Sequence, residues 1–202
     1  EMLALPPDCE LILNDQYKTN NILHSLAYAR PEMNRAEHIV VSYSDIIFRQ
    51  SVVEKLCRVD NKDIVIVVDQ AWKRRYDGRS LHPLSQAEAV KFDDGQTLQV
   101  TGKDLLTPRH DPRQWGEFIG MLRLSRRGNE LFWDVFDEID RNLGPEAPFQ
   151  QSGTWRMAYL TDLLQELVDR GVEVHCILIQ GGWVEIDTSQ DLEYARSFKF
   201  SD

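Results

Sequence analysis

The segment DIVIVV at 63–68 constrains the fold more than any other part of the chain. A continuous run of β-branched residues, without alternating polar positions, is typical of a strand buried on both faces of a parallel sheet. Helix-like segments at 17–30 and 50–58 alternate with the strand-like segment 38–43. This alternation predicts an α/β fold of three layers, with a mostly parallel central sheet between helices.

Further segments extend this pattern on both sides of the central run. A short apolar strand is predicted at 9–13, a β-hairpin insertion at 87–101 and a strand at 116–125, followed by two helices, the second ending at Gly171. Thr188 followed by Asp191 forms a capping box and predicts the start of a last helix.

Length and composition predict a single domain over 1–202. The 202 residues include 42% hydrophobic residues, enough for one core. A formal net charge of -10 disfavours nucleic acid and anionic membranes as partners. The three cysteines are widely spaced, which favours neither disulfides nor zinc and fits a reducing cytoplasm. The sequence has neither an apolar run of membrane-spanning length nor a signal sequence at its start.

Two carboxylates stand at the ends of strand-like segments. Asp45 ends the segment VVSYSD, and Asp187 ends GGWVEID. Ligands of open α/β sheets gather at the carboxyl ends of strands, and a pair of carboxylates with water suits Mg²⁺. The alternative is structural, because Asp commonly caps turns and Asp187 lies beside a helix N-cap. Spacing alone leaves both interpretations open.

The polar segment 69–85 is too charged for core and too long for an ordinary connection. Its cationic residues are candidates for binding an anionic ligand, with Lys73 the first choice; they are Lys73, Arg74, Arg75 and Arg79. A solvated loop surface is the alternative interpretation.

Six segments together resemble a known family. They are LILNDQYKTNNILHSLAYAR, VVSYSDIIF, DIVIVVDQAWKRRYDGR, GEFIGMLRLS, YLTDLLQELVDRG and GGWVEIDTSQDLEYAR. Their order and spacing resemble the sugar-phosphate-type nucleotidyltransferases, in the branch of phosphocholine cytidylyltransferases and phosphoenolpyruvate-mutase-associated phosphonate nucleotidyltransferases. The resemblance implies a Rossmann-like nucleotidyltransferase fold. Asp45 and Asp187 match the metal-binding Asp pair of the family, although Tyr43 and Ser44 replace the usual Glu-Gly before the first of them.

The resemblance also implies a reaction and its partners. A phosphate or phosphonate acceptor, such as aminoethylphosphonate or phosphocholine, would attack the α-phosphorus of CTP and release pyrophosphate. Mg²⁺ on Asp45 and Asp187 would be the cofactor, with Lys73 as a catalytic residue, and phosphoenolpyruvate mutase a fused or associated partner. The predicted substrate-binding residues are Tyr17, Asn20, Asn21, Arg75, Glu117 and Trp183.

An acceptor with an ammonium group would need aromatic side chains and counter-charge. Candidate aromatic residues are Tyr17, Trp72, Trp155 and Trp183, and Glu117 or Glu185 could supply the charge. Packing in the core is the alternative role for these aromatic residues.

The first strand and glycine-rich triphosphate loop of the family have no match in these 202 residues. We therefore expect the chain to be the C-terminal portion of the family's domain. A catalytically silent binding or partner subunit with the same fold is the alternative function. The cluster of glycines at 116–120 and the pair at 181–182 do not open a helix after a strand, as a phosphate loop must.

Overall fold

The computed structural model of the chain describes residues 8–199, so both ends of the predicted 1–202 domain lie outside the described residues. The strands are β1 (His38–Ser42), β2 (Ile46–Phe48), β3 (Ile64–Asp69), β4 (Ala89–Phe92), β5 (Leu98–Gly102), β6 (Trp115–Ser125), β7 (His175–Ile179) and β8 (Trp183–Glu185). The α-helices are α1 (Ile22–Ala27), α2 (Arg30–Met33), α3 (Gln50–Cys57), α4 (Trp72–Tyr76), α5 (Arg126–Asn142), α6 (Leu160–Asp169) and α7 (Ser189–Arg196).

The central sheet is built on the long strand β6. Its strands follow the order β5-β4-β6-β3-β7, and β1 also pairs with β6. Because β3 pairs along one edge of β6, β4 and β1 share the other edge, with β4 at residues 115–117 and β1 at residues 121–125. Residues 118–120 of β6 lie between these two pairings. None of the described strands pairs with residues 118–120 along that edge, which leaves space for a pocket.

The run at 63–68 forms β3, and every residue of that strand is buried. Ile64, Ile66 and Val68 join the core cluster that contains α5 and α6, whereas Val65 and Val67 join the cluster that contains α3. Both faces of the sheet are therefore covered by helices, which confirms the predicted three-layer α/β fold.

The expected mostly parallel sheet needs correction. Among the described strands, only the β3–β7 pair is parallel, whereas β6 runs antiparallel to β1, β3 and β4. A buried apolar run indicates coverage on both faces, but it does not determine the direction of the neighbouring strands. The predicted hairpin is confirmed, since β4 and β5 pair antiparallel and extend the edge of the sheet.

Two predictions for the first third of the chain differ from the structure. Residues 9–13 form no strand, and Leu11 and Leu13 remain 77% and 76% exposed, because no described strand pairs with them. The predicted helix at 17–30 is shorter and ends with α1, and Pro31 lies in the first turn of the separate helix α2. Proline favours a helix start over a helix interior because it has no backbone N–H.

A two-stranded ribbon, β2–β8, stands apart from the central sheet. The strands pair antiparallel with Ile46 opposite Glu185 and Phe48 opposite Trp183. The backbone N–H of Ile186 donates to the carbonyl of Asp45 at 2.8 Å, which extends the pairing by one step. The ribbon therefore brings the chain after β8 beside the chain before β2.

Within residues 8–199, no helix combines the length and apolar character that crossing a bilayer requires.

Candidate functional site

A pocket of about 240 Å³ opens at residues 118–120 of β6, between its pairings with β4 and β1. Gly120 has φ +76°, and a Cβ there would collide with the ring of Tyr43. The polar and aromatic residues that line the pocket are Asn21, Tyr43, Ser44, Asp45, His82, Gln86, Glu88, Lys103, Glu117, Phe118, Tyr159, Glu185 and Asp187. The pocket therefore combines five carboxylates with one lysine and one histidine.

Asp45 and Asp187 both line this pocket. The β2–β8 ribbon brings the ends of their two segments together, with Ile186 opposite Asp45, and both aspartates are exposed. The predicted capping box is confirmed, since the Thr188 side chain accepts from the backbone N–H of Asp191 and the Asp191 carboxylate accepts from that of Thr188. Because Asp191 supplies the capping carboxylate, the side chain of Asp187 points to a different partner.

That partner is His82, which sequence reasoning missed. Its Nδ1 lies 2.8 Å from Oδ2 of Asp187. One ligand atom each from His82, Glu185 and Asp187 lies within 4.8 Å of the others. Imidazole nitrogen and carboxylate oxygen are both donors to divalent cations, so these residues fit a metal ion. Asp45 lines the same pocket but is not part of this converging group.

The loop 77–83 positions His82 because it is hydrogen-bonded to the start of α7. The Gln190 side chain accepts from the backbone N–H of Ser80 at 2.9 Å and donates to the carbonyl of Gly78 at 2.8 Å. Arg79 donates to Asp191 at 2.7 Å and lies 3.3 Å from Glu185. Burial, and then the charge of Arg79, lower the pKa of His82, which favours the neutral imidazole that can bind a metal.

Glu88 and Glu117 are two buried carboxyl groups that also line the pocket. Burial raises the pKa of each to about 7. Tyr43 donates to Glu88 at 3.0 Å, and Tyr76 donates to Oε1 of Glu117. Oε2 of Glu117 has no hydrogen-bond partner among the described residues, although Nε of Arg75 lies 3.9 Å away. An unfilled acceptor at the edge of a pocket indicates a place for a donor from a ligand.

Lys103 is a second residue that sequence reasoning missed. It is the sole lysine among the described residues that line the pocket, and no arginine lines it. The ammonium nitrogen lies 4.2 Å from the ring centroid of Tyr159. Lys103 directly follows β5, just beyond the predicted hairpin, so its position at a strand end was the available signal.

The predicted cationic segment lies elsewhere. None of its members lines this pocket. The ammonium of Lys73 lies 5.4 Å from the ring centroid of Trp72. Arg75 lies 3.7 Å from the ring centroid of Trp183 and donates to its carbonyl, while Arg79 pairs with Asp191 and Glu185. Arg75 and Arg79 thus stabilise the fold through internal contacts, and the fourth member, Arg74, is exposed.

The asparagine pair and Tyr17 separate in the structure. Asn21 lines the pocket and also caps α1, where its side chain accepts from the backbone N–H of Ile22. Asn20 exchanges hydrogen bonds with Asn14 and is absent from the pocket lining. Tyr17 is 65% exposed and is also absent from that lining. The structure therefore brings together Asn21, Asp45, Glu117 and Asp187 from the predicted set.

The three candidate tryptophans are core residues. Trp72, Trp155 and Trp183 are at most 3% exposed, and none lines the pocket. The indole N–H of Trp183 donates to Oδ2 of Asp69 at 2.9 Å. Packing is therefore the role that the structure gives these residues, and Tyr43, Phe118 and Tyr159 line the pocket instead.

Asp69 explains the sequence GGW at 181–183. Its Oδ1 accepts from the backbone N–H groups of Ala71 and Gly181, both at 2.8 Å. Gly181 and Gly182 have φ values of +78° and +86°, a region that favours glycine. These turns bring Trp183 back to the other oxygen of Asp69. Asp69 is fully buried, and all its contacts are internal.

No family model matches the chain. The chain is 25% identical over 185 residues to a CTP:phosphoglutamine cytidylyltransferase of Campylobacter jejuni subsp. jejuni, covering 90% of this chain and 69% of that protein. The sequence is thus similar to that of a cytidylyltransferase over most of its length. The resemblance inferred from the six sequence segments is thus confirmed.

Solved structures of nucleotidyltransferases share this fold. The inositol-1-phosphate CTP transferase from T. maritima has a TM-score of 0.60 and 18% identity, covering 88% of this chain and 60% of that one. The CTP:phosphocholine cytidylyltransferase from Streptococcus pneumoniae has a TM-score of 0.57 and 14% identity, covering 90% and 65%. The chain therefore spans less than two thirds of either nucleotidyltransferase structure.

Proposed function

We propose that the chain provides the acceptor and metal sites of a cytidylyltransferase that transfers CMP from CTP to a small phosphorylated or phosphonate acceptor. The observation that carries this proposal is the convergence of Lys103, Asp45 and Asp187 in one pocket of a chain related to nucleotidyltransferases. Transfer of a nucleotidyl group requires that two phosphorus centres be held in position. A cationic side chain and a pair of carboxylates that could bind a metal ion are groups suited to this task.

The transfer needs no general base from the protein. An oxygen of the acceptor's phosphate or phosphonate forms a bond to the α-phosphorus of CTP. The bond from that phosphorus to the oxygen bridging to the β-phosphorus breaks, and pyrophosphate leaves with the electron pair. Because a phosphate monoester has a second pKa near 6, its oxygen is already anionic at neutral pH. Catalysis by this chain is therefore positioning and charge stabilisation.

Lys103 is the group that would bind the anionic end of the acceptor. Its ammonium lies against Tyr159, which limits the positions it can adopt. Asn21, held by the start of α1, is a neighbouring polar group at the same pocket. A divalent cation on Asp45 and Asp187, for which Mg²⁺ is the expected ion if these two carboxylates act alone, would neutralise charge on the transferred phosphoryl group.

The rest of the pocket favours an acceptor with an amino or amide group at its other end. The five lining carboxylates exceed the positive charge of Lys103, so a ligand that carried only phosphate would meet net repulsion. Oε2 of Glu117 can accept a hydrogen bond from an N–H donor. Aminoethylphosphonate has a phosphonate group at one end and an amino group at the other, whereas glucose 1-phosphate has no nitrogen.

Pyrophosphate release tests this proposal. We expect CTP to support turnover with aminoethylphosphonate at least about tenfold faster than with glucose 1-phosphate, which corresponds to about 1.4 kcal/mol. Asp187→Asn should reduce the rate by about 100-fold or more, because it removes a charged ligand at constant volume. Release that is faster with glucose 1-phosphate, or absent with every acceptor, would contradict the proposal.

Asp94→Asn is the matched control for Asp187→Asn. Asp94 is also an exposed aspartate, but it lies in the turn between β4 and β5. The rate of Asp94→Asn should stay within about twofold of the wild type, since Asp94 does not line the pocket. An association with phosphoenolpyruvate mutase stays a prediction, which co-purification of the two proteins would test.

A further inference from the structure

Three potential metal ligands of different chemistry converge at the mouth of the pocket. His82 supplies a nitrogen, and Glu185 and Asp187 supply oxygens, all within 4.8 Å of one another. The His82 side chain is 11% exposed, while that of Asp187 is 33% exposed. Two carboxylates side by side repel each other, and a bound cation removes that repulsion.

The spacing of His82 and Asp187 suits two neighbouring ligands of one ion. Their closest atoms are 2.8 Å apart. Neighbouring ligands in an octahedral site with bonds of about 2.1 Å lie about 3 Å from each other. A small opening of this pair would therefore admit a cation between the imidazole and the carboxylate.

Hydrogen bonds between the loop before His82 and helix α7 hold His82 in position. Gln190 accepts from the backbone N–H groups of Ser80 and Leu81 on the two residues before His82, at 2.9 and 3.3 Å. Gln190 lies in the first turn of α7, three residues after Asp187. The same short segment of chain thus positions both the nitrogen and the oxygen.

We propose that His82 is a nitrogen ligand of the catalytic divalent cation and that it shifts the preference of the site from Mg²⁺ toward Mn²⁺ and Co²⁺. Mg²⁺ prefers all-oxygen ligands, whereas affinity of a site with nitrogen rises from Mn²⁺ to Co²⁺. The inference rests on the proposed function because the cation is the one that the transfer would use.

Direct detection of the nitrogen tests this ligand assignment. With Mn²⁺ bound to the wild-type protein, electron spin echo modulation should show the ¹⁴N of a coordinated imidazole, and His82→Gln should abolish it. His38→Gln is the matched control, because His38 is exposed on β1 and contacts Arg123 rather than the pocket. Absence of the ¹⁴N signal from the wild type, or its persistence in His82→Gln, would overturn the proposal.

Calorimetric titration of Mg²⁺, Mn²⁺ and Co²⁺ gives a second readout. His82→Gln should weaken Co²⁺ binding by about tenfold or more and Mg²⁺ binding by less than about twofold, with Mn²⁺ between them. Asp187→Asn should weaken all three ions. Equal losses of Mg²⁺ and Co²⁺ affinity in His82→Gln would show that the histidine does not act as a ligand.

Turnover separates this inference from the proposed function. An imidazole signal without any pyrophosphate release would support the ligand assignment and contradict the proposed transfer. Release of pyrophosphate by a protein that lacks the signal would do the reverse. Circular dichroism and a thermal melt of His82→Gln establish that the variant is folded before either comparison is made.

Discussion

Asp69 and Glu117 occupy paired positions on neighbouring strands, yet the protein treats their carboxylates differently. Both are buried, at 0% and 3% exposure, and they stand opposite each other across β3 and β6. Asp69 accepts three N–H donors from its own chain, two from backbone and one from Trp183. Glu117 accepts one hydroxyl from Tyr76, and its second oxygen has no hydrogen-bond partner among the described residues.

The difference teaches that burial of a carboxylate does not by itself indicate function. A buried carboxylate whose two oxygens both accept hydrogen bonds from its own chain stabilises the fold, as Asp69 does for the turn before Trp183. A buried carboxylate with an unfilled acceptor at a pocket costs free energy that a ligand can recover. Glu117 is therefore the better candidate for contact with a substrate.

The largest expected effect is the loss of stability on substitution of Asp69, the carboxylate whose two oxygens are both hydrogen-bonded. Asp69→Asn replaces one acceptor oxygen by a donor that faces N–H groups, so we expect a loss of about 3 kcal/mol of unfolding free energy. Urea denaturation measures it, with Asp94→Asn as the exposed control. A loss below about 1 kcal/mol would show that these hydrogen bonds do not anchor the turn.

The pH dependence of the unfolding free energy tests Glu117, the carboxylate with one oxygen that lacks a hydrogen-bond partner among the described residues. The pKa of Glu117 is raised from 4.5 to about 7, so between these values the folded protein binds a proton that the unfolded chain releases. The unfolding free energy should therefore fall as pH rises through this window and level off above it. Glu117→Gln should remove a share on the order of 2 kcal/mol from this fall.

Urea denaturation at pH 5 and pH 8 measures the fall for wild type and Glu117→Gln. Part of it should persist in the variant, because the pKa of Glu88 is also raised to about 7 by burial. Wild type and variant that lose the same free energy between the two pH values would contradict the assignment to Glu117.

Lys103 tests whether the open pocket binds the anionic end of an acceptor. Lys103→Ala should raise the acceptor KM by about tenfold and change the KM for CTP by less than about twofold, because the proposal gives this charge a contact with the acceptor and none with CTP. Lys91→Ala is the control, since Lys91 is exposed on β4 and outside the pocket lining. Equal increases in both KM values would place Lys103 elsewhere in the reaction.

Lys73 provides the smallest expected effect. The sequence predicts that it binds the acceptor, but the structure places it outside the pocket lining, near Trp72. Lys73→Ala should therefore change the acceptor KM by less than about twofold. A tenfold increase would restore the sequence prediction and show that the segment 69–85 moves toward the pocket.

The features that sequence patterns predicted are local ones. The β-branched run of β3, the hairpin and the Thr188–Asp191 capping box each depend on residues close together in the chain. The direction of the strands and the exposure of residues 9–13 depend on which strands pair with each other. The local pattern of apolar and polar residues contains no information about strand pairing.

The residues of the candidate site also fall into two groups: some could be predicted from local sequence, and others depend on long-range contacts. Asp45 and Asp187 stand at strand ends, so their place at the pocket could be predicted. His82 reaches Asp187 through hydrogen bonds between residues 78–82 and Gln190, which are more than 100 positions apart in sequence. The sequence shows the positive charges of Arg75 and Arg79. It does not show the groups with which these side chains pair in the folded protein. Long-range contacts of this kind leave no periodic signal in a single sequence.

The β2–β8 ribbon makes segment length matter more than residue identity. Asp45 and Asp187 line one pocket because Ile46 pairs with Glu185 in a ribbon of three residues per strand, which brings the chain before β2 beside the chain after β8. Substitution of one apolar residue by another would leave this register intact, whereas inserting or deleting one residue in either strand would shift one aspartate relative to the other by one register position. During sequence divergence, we therefore expect the ribbon to accept new side chains while keeping its number of residues fixed.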